Sequence, residues 1–163
     1  MRRLLVCAAA VLFASVAVQA AGKTGGLKWR EIAQGEAEAK KTGKPALYFF
    51  TAEWCGPCHA IQREVFADPK VAAAIEKRYV PILCEDRFRQ DGANPPGFDD
   101  LASRFSLRGF PTLIVARPGS AKGFRLTGWP GADETREFLD VSADRLRERE
   151  AEAAKAKATG VKP

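Results

Sequence analysis

Trp54-Cys55-Gly56-Pro57-Cys58-His59 is the stretch on which the reading of this chain turns. Immediately before it, Leu47-Tyr48-Phe49-Phe50 is a short, unbroken apolar run, the pattern of a buried strand. Immediately after it, Ile61, Val65 and Phe66 recur at helical spacing. The two cysteines therefore fall at a strand-to-helix junction. The first turn of a helix carries N–H groups without partners and the positive end of a macrodipole. A thiolate there is stabilised more than the thiol, so a cysteine in that place is the more reactive. Pro57 falls in the first turn, where its missing N–H costs no hydrogen bond. Gly56 is expected to let the two sulfurs approach closely. The pattern predicts a reactive dithiol, with Cys55 the more exposed partner and Cys58 one turn further in.

Three other readings compete. Two cysteines can be ordinary buried residues, although the flanking Trp and the internal Gly-Pro are unusual for that. They can belong to a zinc site, but His59 is adjacent to Cys58 rather than spaced to close a tetrahedron with Cys55, Cys58 and Cys84. C-x-x-C-H is also the attachment signature of c-type haem. Haem iron bound to His59 would usually want a second strong axial ligand, and the chain has one Met, Met1, and no second His. The dithiol reading is favoured, with no cofactor and no metal expected.

At 163 residues the chain is long enough for one domain with a real core. Met1-Arg2-Arg3, the nearly continuous apolar run Leu4 to Val18 and the small residue Ala20 together form the pattern of a secretory signal peptide cut after Ala20. The alternative is an uncleaved anchor, for which the apolar run is short. Cys7 has no lipoprotein context. Without Arg2 and Arg3 the formal charge falls from +6 to +4, spread along the chain, which gives no argument for nucleic acid. Export implies an oxidising compartment, in which a Cys55–Cys58 pair needs a redox partner to stay reduced.

Residues 21–28, rich in Gly and Lys, read as a flexible lead-in. Trp29 to Thr42 predicts an amphipathic helix, stopped by Gly43-Lys44-Pro45. A strand is expected over Pro45 to Thr51, the motif helix to about Phe66, and a helix from Asp68-Pro69 to Lys77 with Asp68 as its N-cap. Tyr79 to Cys84 reads as a strand, and Glu85 to Asp100 as a long polar loop. Cys84 is expected to be a small buried strand residue rather than a third redox thiol. Leu101 and Phe105 share a helix face, Leu113 to Ala116 is an apolar strand, and Phe124 to Thr127 an edge strand. Thr135, Phe138, Leu139, Ser142 and Leu146 predict a final helix, with residues 147–163 a charged tail fraying into disorder.

This order of elements predicts an α/β fold with a mixed sheet. Ala52-Glu53-Trp54-Cys55-Gly56-Pro57-Cys58 resembles the active-site motif of the thioredoxin family, and Arg108-Gly109-Phe110-Pro111-Thr112 resembles its second signature. The resemblance covers about residues 29–146. Val65 to Val71 and Leu126-Thr127-Gly128-Trp129 look most like the C-terminal periplasmic domain of the membrane thiol:disulfide interchange protein and its secreted single-domain relatives.

The resemblance implies a thioredoxin fold: a central mixed sheet flanked by helices, with a cis-proline, Pro111, facing the Cys-x-x-Cys helix. The alternative for Pro111 is an ordinary strand-start proline. It further implies that Cys55 attacks a substrate disulfide and that Cys58 resolves the mixed disulfide, leaving a Cys55–Cys58 bond. Trp54, Gly56, Pro57, Phe110, Pro111, Gly128 and Trp129 would form the substrate groove. One departure stands out. The family carries a buried Asp six residues before the first Cys, and here that residue is Phe49. Proton transfer at Cys58 would then fall to a water, to Glu85 or to His59. The expected activity is that of a periplasmic, monomeric thiol:disulfide oxidoreductase, with Gly-Pro between the cysteines resembling the reducing members. Disulfide-containing proteins would be its substrates and a membrane or periplasmic donor its electron source. The alternatives are an oxidase, an isomerase, or a groove that binds without turnover.

Overall fold

The computed structural model describes residues 26–159. The leader 1–20, its cut after Ala20, Cys7 and most of the lead-in lie outside that range. The elements are α1 (Ile32–Thr42), β1 (Ala46–Ala52), α2 (Gly56–Ile61), α3 (Pro69–Arg78), β2 (Val80–Asp86), α4 (Phe88–Asp91), α5 (Phe98–Arg104), β3 (Thr112–Ala116), β4 (Gly123–Thr127) and α6 (Ala132–Ala158). The sheet runs β2-β1-β3-β4. β1 pairs parallel with β2 and antiparallel with β3, and β3 pairs antiparallel with β4.

β1 is buried along its whole length, as its apolar run requires, and it divides the interior in two. Successive side chains of a strand point to opposite faces. Leu47 and Phe49 join Cys58, Ile61, Val65, Phe66, Leu113 and Leu139 on one face. Tyr48 and Phe50 join Ile32, Ile82, Cys84, Phe98, Leu101 and Ile114 on the other. On the first face Trp29, Phe49 and Phe66 stack at centroid separations of 5.1 to 5.5 Å. On the second, α1 comes so close to β2 that a Cβ at Gly35 would stand 2.4 Å from Ile82 Cγ1, so only glycine fits there.

The local signals act as expected at several ends. α1 stops at Gly43, whose φ of 69° is the left-handed conformation glycine adopts freely, and its N–H donates to the Ala39 carbonyl. Asp68 caps α3 by accepting from the Lys70 N–H at 2.8 Å, with Pro69 in the first turn. The outer edge of β2 is covered by Arg30, whose N–H donates to Pro81 O and whose carbonyl accepts from Leu83 N.

Four readings need correction. Residues 21–28 are not loose to their end: Leu27 is buried in the core, and Lys28 N donates to Glu76 Oε1 at 2.9 Å. The stretch Glu85 to Asp100 is not a plain loop. β2 runs on to Asp86, a single turn, α4, follows, and α5 starts at Phe98, whose ring is buried. The motif helix is not α-helical throughout: Gln62–Phe66 widens into a π-turn, closed by Ala67 N donating to Gln62 O. The final helix does not fray after Leu146 but continues to Ala158. Its extra turns are rich in Ala, Glu, Lys and Arg, strong helix formers. They are also held to the sheet end, where Arg117 grips Glu150 through two contacts of 2.7 Å.

Candidate functional site

β1 ends at Ala52, and the chain turns through Glu53 and Trp54 before α2 begins. The turn is closed by Cys55 N donating to Ala52 O. Cys55 takes the N-cap place of α2 in an extended conformation, and its sulfur accepts from the Cys58 N–H at 3.2 Å. The same N–H and that of His59 reach the Cys55 carbonyl. The sulfur thus sits among the first amides of the helix, the arrangement that stabilises a thiolate once the pair is reduced. Cys55 and Cys58 are joined by a disulfide, with Cα atoms 5.2 Å apart. The expected order of exposure is present but small: Cys55 is 3% exposed and Cys58 fully buried. The steric role expected of Gly56 finds no ground, since a Cβ there would meet nothing within 4 Å. Gly56 and Pro57, the two residues between the cysteines, are both exposed.

The second signature lies alongside. The Phe110–Pro111 peptide bond is cis, and Pro111 is buried at the start of β3. Phe110 meets the ring of Trp54 edge-on at 5.8 Å. Gly128, with φ at 82°, donates its N–H to Pro111 O at 2.8 Å and so ties the turn after β4 to the rim. Phe110 and Trp129 both pack against the core cluster that holds the two cysteines. Trp54 is 50% exposed, so its indole is half in solvent beside the disulfide.

Phe49 lies in that same cluster, fully buried, so no carboxylate stands at its position beneath the motif. His59 is on the exposed side of α2. Glu85 pairs with Thr51 across β1 and β2, two residues beyond the Phe49–Leu83 pair. By strand alternation it shares the face of Leu83, which packs in the cysteine core, and its carboxylate lies 3.3 Å from Arg87 Nη1. Cys84 is a free thiol on the opposite face. Its pKa is pushed well up by burial and further by the Glu36 charge. The soft ligands therefore do not converge, and among the described residues no group of three or more His, Cys, Asp or Glu could hold a metal ion.

Two contacts were not legible in the sequence. α4 reaches back to the motif: the Arg89 guanidinium lies 4.5 Å over the Trp54 ring, and Gln90 Nε2 donates to Glu53 Oε2 at 2.8 Å. The one signal in the sequence is that Arg87 to Phe98 is longer than the resemblance to a minimal thioredoxin requires, which fits a partner-recognition element or a tolerated insertion equally.

The chain matches the family model of a thioredoxin-like domain over residues 32–142. Thiol:disulfide interchange protein DsbD 1 of Pseudomonas aeruginosa is 36% identical over 83 residues, which are 51% of this chain and 13% of that relative's length. The thioredoxin of Acidithiobacillus ferridurans is 30% identical over 105 residues, covering 64% of this chain and 85% of that protein. The solution structure of a thioredoxin from Thermus thermophilus superposes with a TM-score of 0.57 at 25% identity, over 70% of this chain and 85% of that one. With a disulfide at the mouth of α2 and the sheet order just described, the chain belongs to the thioredoxin-like family of disulfide oxidoreductases.

Proposed function

We propose that this chain is an exported reductase of protein disulfides. The observation that carries the reading is the Cys55–Cys58 pair at the first amides of α2, just beneath the surface, with Gly56 and Pro57 exposed between the two cysteines and Trp54 and Phe110 beside them. In the reduced chain the Cys55 thiolate attacks one sulfur of a substrate disulfide. The other substrate sulfur leaves as a thiolate and takes up a proton. Cys58, deprotonated, then attacks Cys55, the internal disulfide forms, and the second substrate sulfur departs as a thiol. Two electrons pass to the substrate, and a membrane or periplasmic donor of dithiol electrons must restore the pair. The groove is assigned to Trp54, Gly56, Pro57, Phe110, Pro111, Gly128 and Trp129. Glu85 is assigned the proton of Cys58, because it is the carboxylate on the cysteine face of β2, whereas His59 points to the exposed side. Export rests on the leader pattern of residues 1–20 and on the likeness to thiol:disulfide interchange proteins. Among the described residues no helix is long and apolar enough to cross a membrane.

Two measurements test this. Equilibration of the Cys55–Cys58 pair with glutathione or dithiothreitol should give a potential in the reducing range, about −270 to −200 mV, whereas a value near about −120 mV makes it an oxidase. The reduced chain should cleave insulin disulfides, and Cys58→Ser should hold substrates covalently on Cys55. A reduced, alkylatable pair that cleaves nothing would make the groove a binding module. In the same assay Glu85→Gln should shift the pH–rate profile and His59→Ala should leave it in place; the reverse result would move the proton to His59.

A further inference from the structure

Trp54 and Phe88 are the two large hydrophobic side chains that stand out of the surface among the described residues, at 50% and 63% exposure. They are not independent. Phe88 opens α4, and the next residue, Arg89, lies over the Trp54 ring. Gln90 holds Glu53, the residue before Trp54. α4 is itself clamped in place. Arg87 Nε donates to Asp91 at 2.6 Å, Arg87 Nη1 reaches Glu85 at 3.3 Å, Arg87 N donates to Asn94 Oδ1, and Phe88 N donates to Asp86 Oδ1. The carboxylates of this segment are thus taken up by Arg87 and by backbone amides. Arg89 makes no ion pair among the described residues, and neither does Arg108, the exposed arginine two residues before Phe110. The rim beside the disulfide therefore has an aromatic floor, Trp54 and Phe110, with an unpaired guanidinium on α4 and another at the start of the second signature. Glu53, held by Gln90, is the opposing charge.

We propose that α4 and Arg108 form a specificity edge that selects substrate segments with Asp or Glu beside their cystine. A guanidinium resting on an indole keeps its cation–π contact while the N–H groups on its edge still donate to a carboxylate. Charge complementarity of this kind acts on encounter and register more than on the chemistry itself. The inference rests on the reductase reading, since it names the substrate that the same disulfide would take.

The test uses the reduced full chain and two disulfide-bridged synthetic peptides, identical except for Glu or Lys on either side of one cysteine, with hydroxyethyl disulfide as a third substrate. At low ionic strength the Glu peptide should be favoured in kcat/KM by about five-fold, and the preference should shrink as salt is added. Arg89→Glu should abolish or reverse the ratio of the two peptides, and Arg89→Lys should keep most of it. Reading the ratio cancels any common effect of a variant on folding or chemistry. Equal rates on the two peptides, or a ratio unchanged in Arg89→Glu, would overturn the specificity edge while hydroxyethyl disulfide turnover keeps the reductase reading intact. No turnover of any of the three would remove the reductase reading and this inference together.

Discussion

Cys58 and Cys84 are both fully buried, each in a core built on the same central strand, yet their chemistry is opposite. Cys58 sits on the face that carries α2, within bonding distance of Cys55 and at the first amides of a helix. Cys84 sits mid-strand on β2, paired with Phe50, its own N–H and carbonyl engaged in the ladder. Burial together with the Glu36 charge pushes its thiol pKa up. Burial alone therefore decides nothing about a cysteine. What separates the two faces is whether the backbone offers free amides to the sulfur and whether a second sulfur stands one helical turn away.

The largest expected effect breaks that comparison if it fails. Cys55→Ser should reduce the rate of disulfide exchange by on the order of a thousand-fold or more, because the attacking thiolate is gone. Cys84→Ala should leave the rate within about two-fold and cost about 1 kcal/mol in unfolding by urea, the loss of one buried sulfur from a packed strand. Alkylation of the reduced native protein, mapped by mass spectrometry, should label Cys55 quickly and Cys84 only on unfolding. Rapid labelling of Cys84 in the folded chain would erase the distinction between the faces.

The second effect sharpens it. Phe49 occupies the cysteine face with Trp29 and Phe66 at 5.5 and 5.2 Å. Phe49→Ala should destabilise the protein by about 3–5 kcal/mol, as expected for emptying a fully buried aromatic site. A smaller loss, near that of a surface substitution, would mean that the aromatic cluster is not what holds α2 against β1.

The legible parts of this chain were those with a local cause. The apolar run of β1, the Asp68-Pro69 cap, the Gly43 stop and the Cys-x-x-Cys helix start each follow from a few adjacent residues. What stayed hidden depended on partners distant in sequence. α6 reads as frayed after Leu146 because its outer turns lack an apolar stripe, yet Arg117, 33 residues away, holds Glu150 in place. The segment after β2 reads as loop because its polar residues have no periodicity, yet Asn94, Asp91 and Glu85 fold it around Arg87, and Arg89 and Gln90 fasten it to the motif. The π-turn after Ile61 has no residue signature at all that an α-helix would lack. The charge beside the motif was not legible, because the pairing that frees Arg89 is set by that folded turn.

The smallest expected effect belongs to the face that the redox chemistry does not use. Glu36 on α1 accepts from Tyr48 Oη at 2.9 Å and from Arg104 Nη1 at 2.7 Å, both on Oε1. Burial of Glu36 favours its neutral form, but the hydrogen bonds from Arg104 and Tyr48 and the Arg104 charge outweigh that and hold its pKa below the ordinary 4.5. The phenol of Tyr48 is pushed far up, by burial first and by the Glu36 charge second. A carboxyl whose pKa is lower in the folded chain than in the unfolded one adds stability above the unfolded value, and that stability is lost as pH falls through the folded value. Glu36→Gln keeps the shape and one acceptor but removes the charge. At pH 7 it should cost roughly 1 kcal/mol, the scale of a half-buried charged hydrogen bond. In urea titrations the gap between the two proteins should close steadily below pH 4.5, because the wild-type carboxylate becomes protonated and then resembles the amide. A gap that stays constant from pH 7 down to pH 3 would show that the charge contributes nothing there. The potential of Cys55–Cys58 should not move in Glu36→Gln, since β1 and its two opposed rows of side chains stand between them. Cys84 should remain slow to label as well, because burial, the larger of the two causes that raise its pKa, is untouched by the substitution.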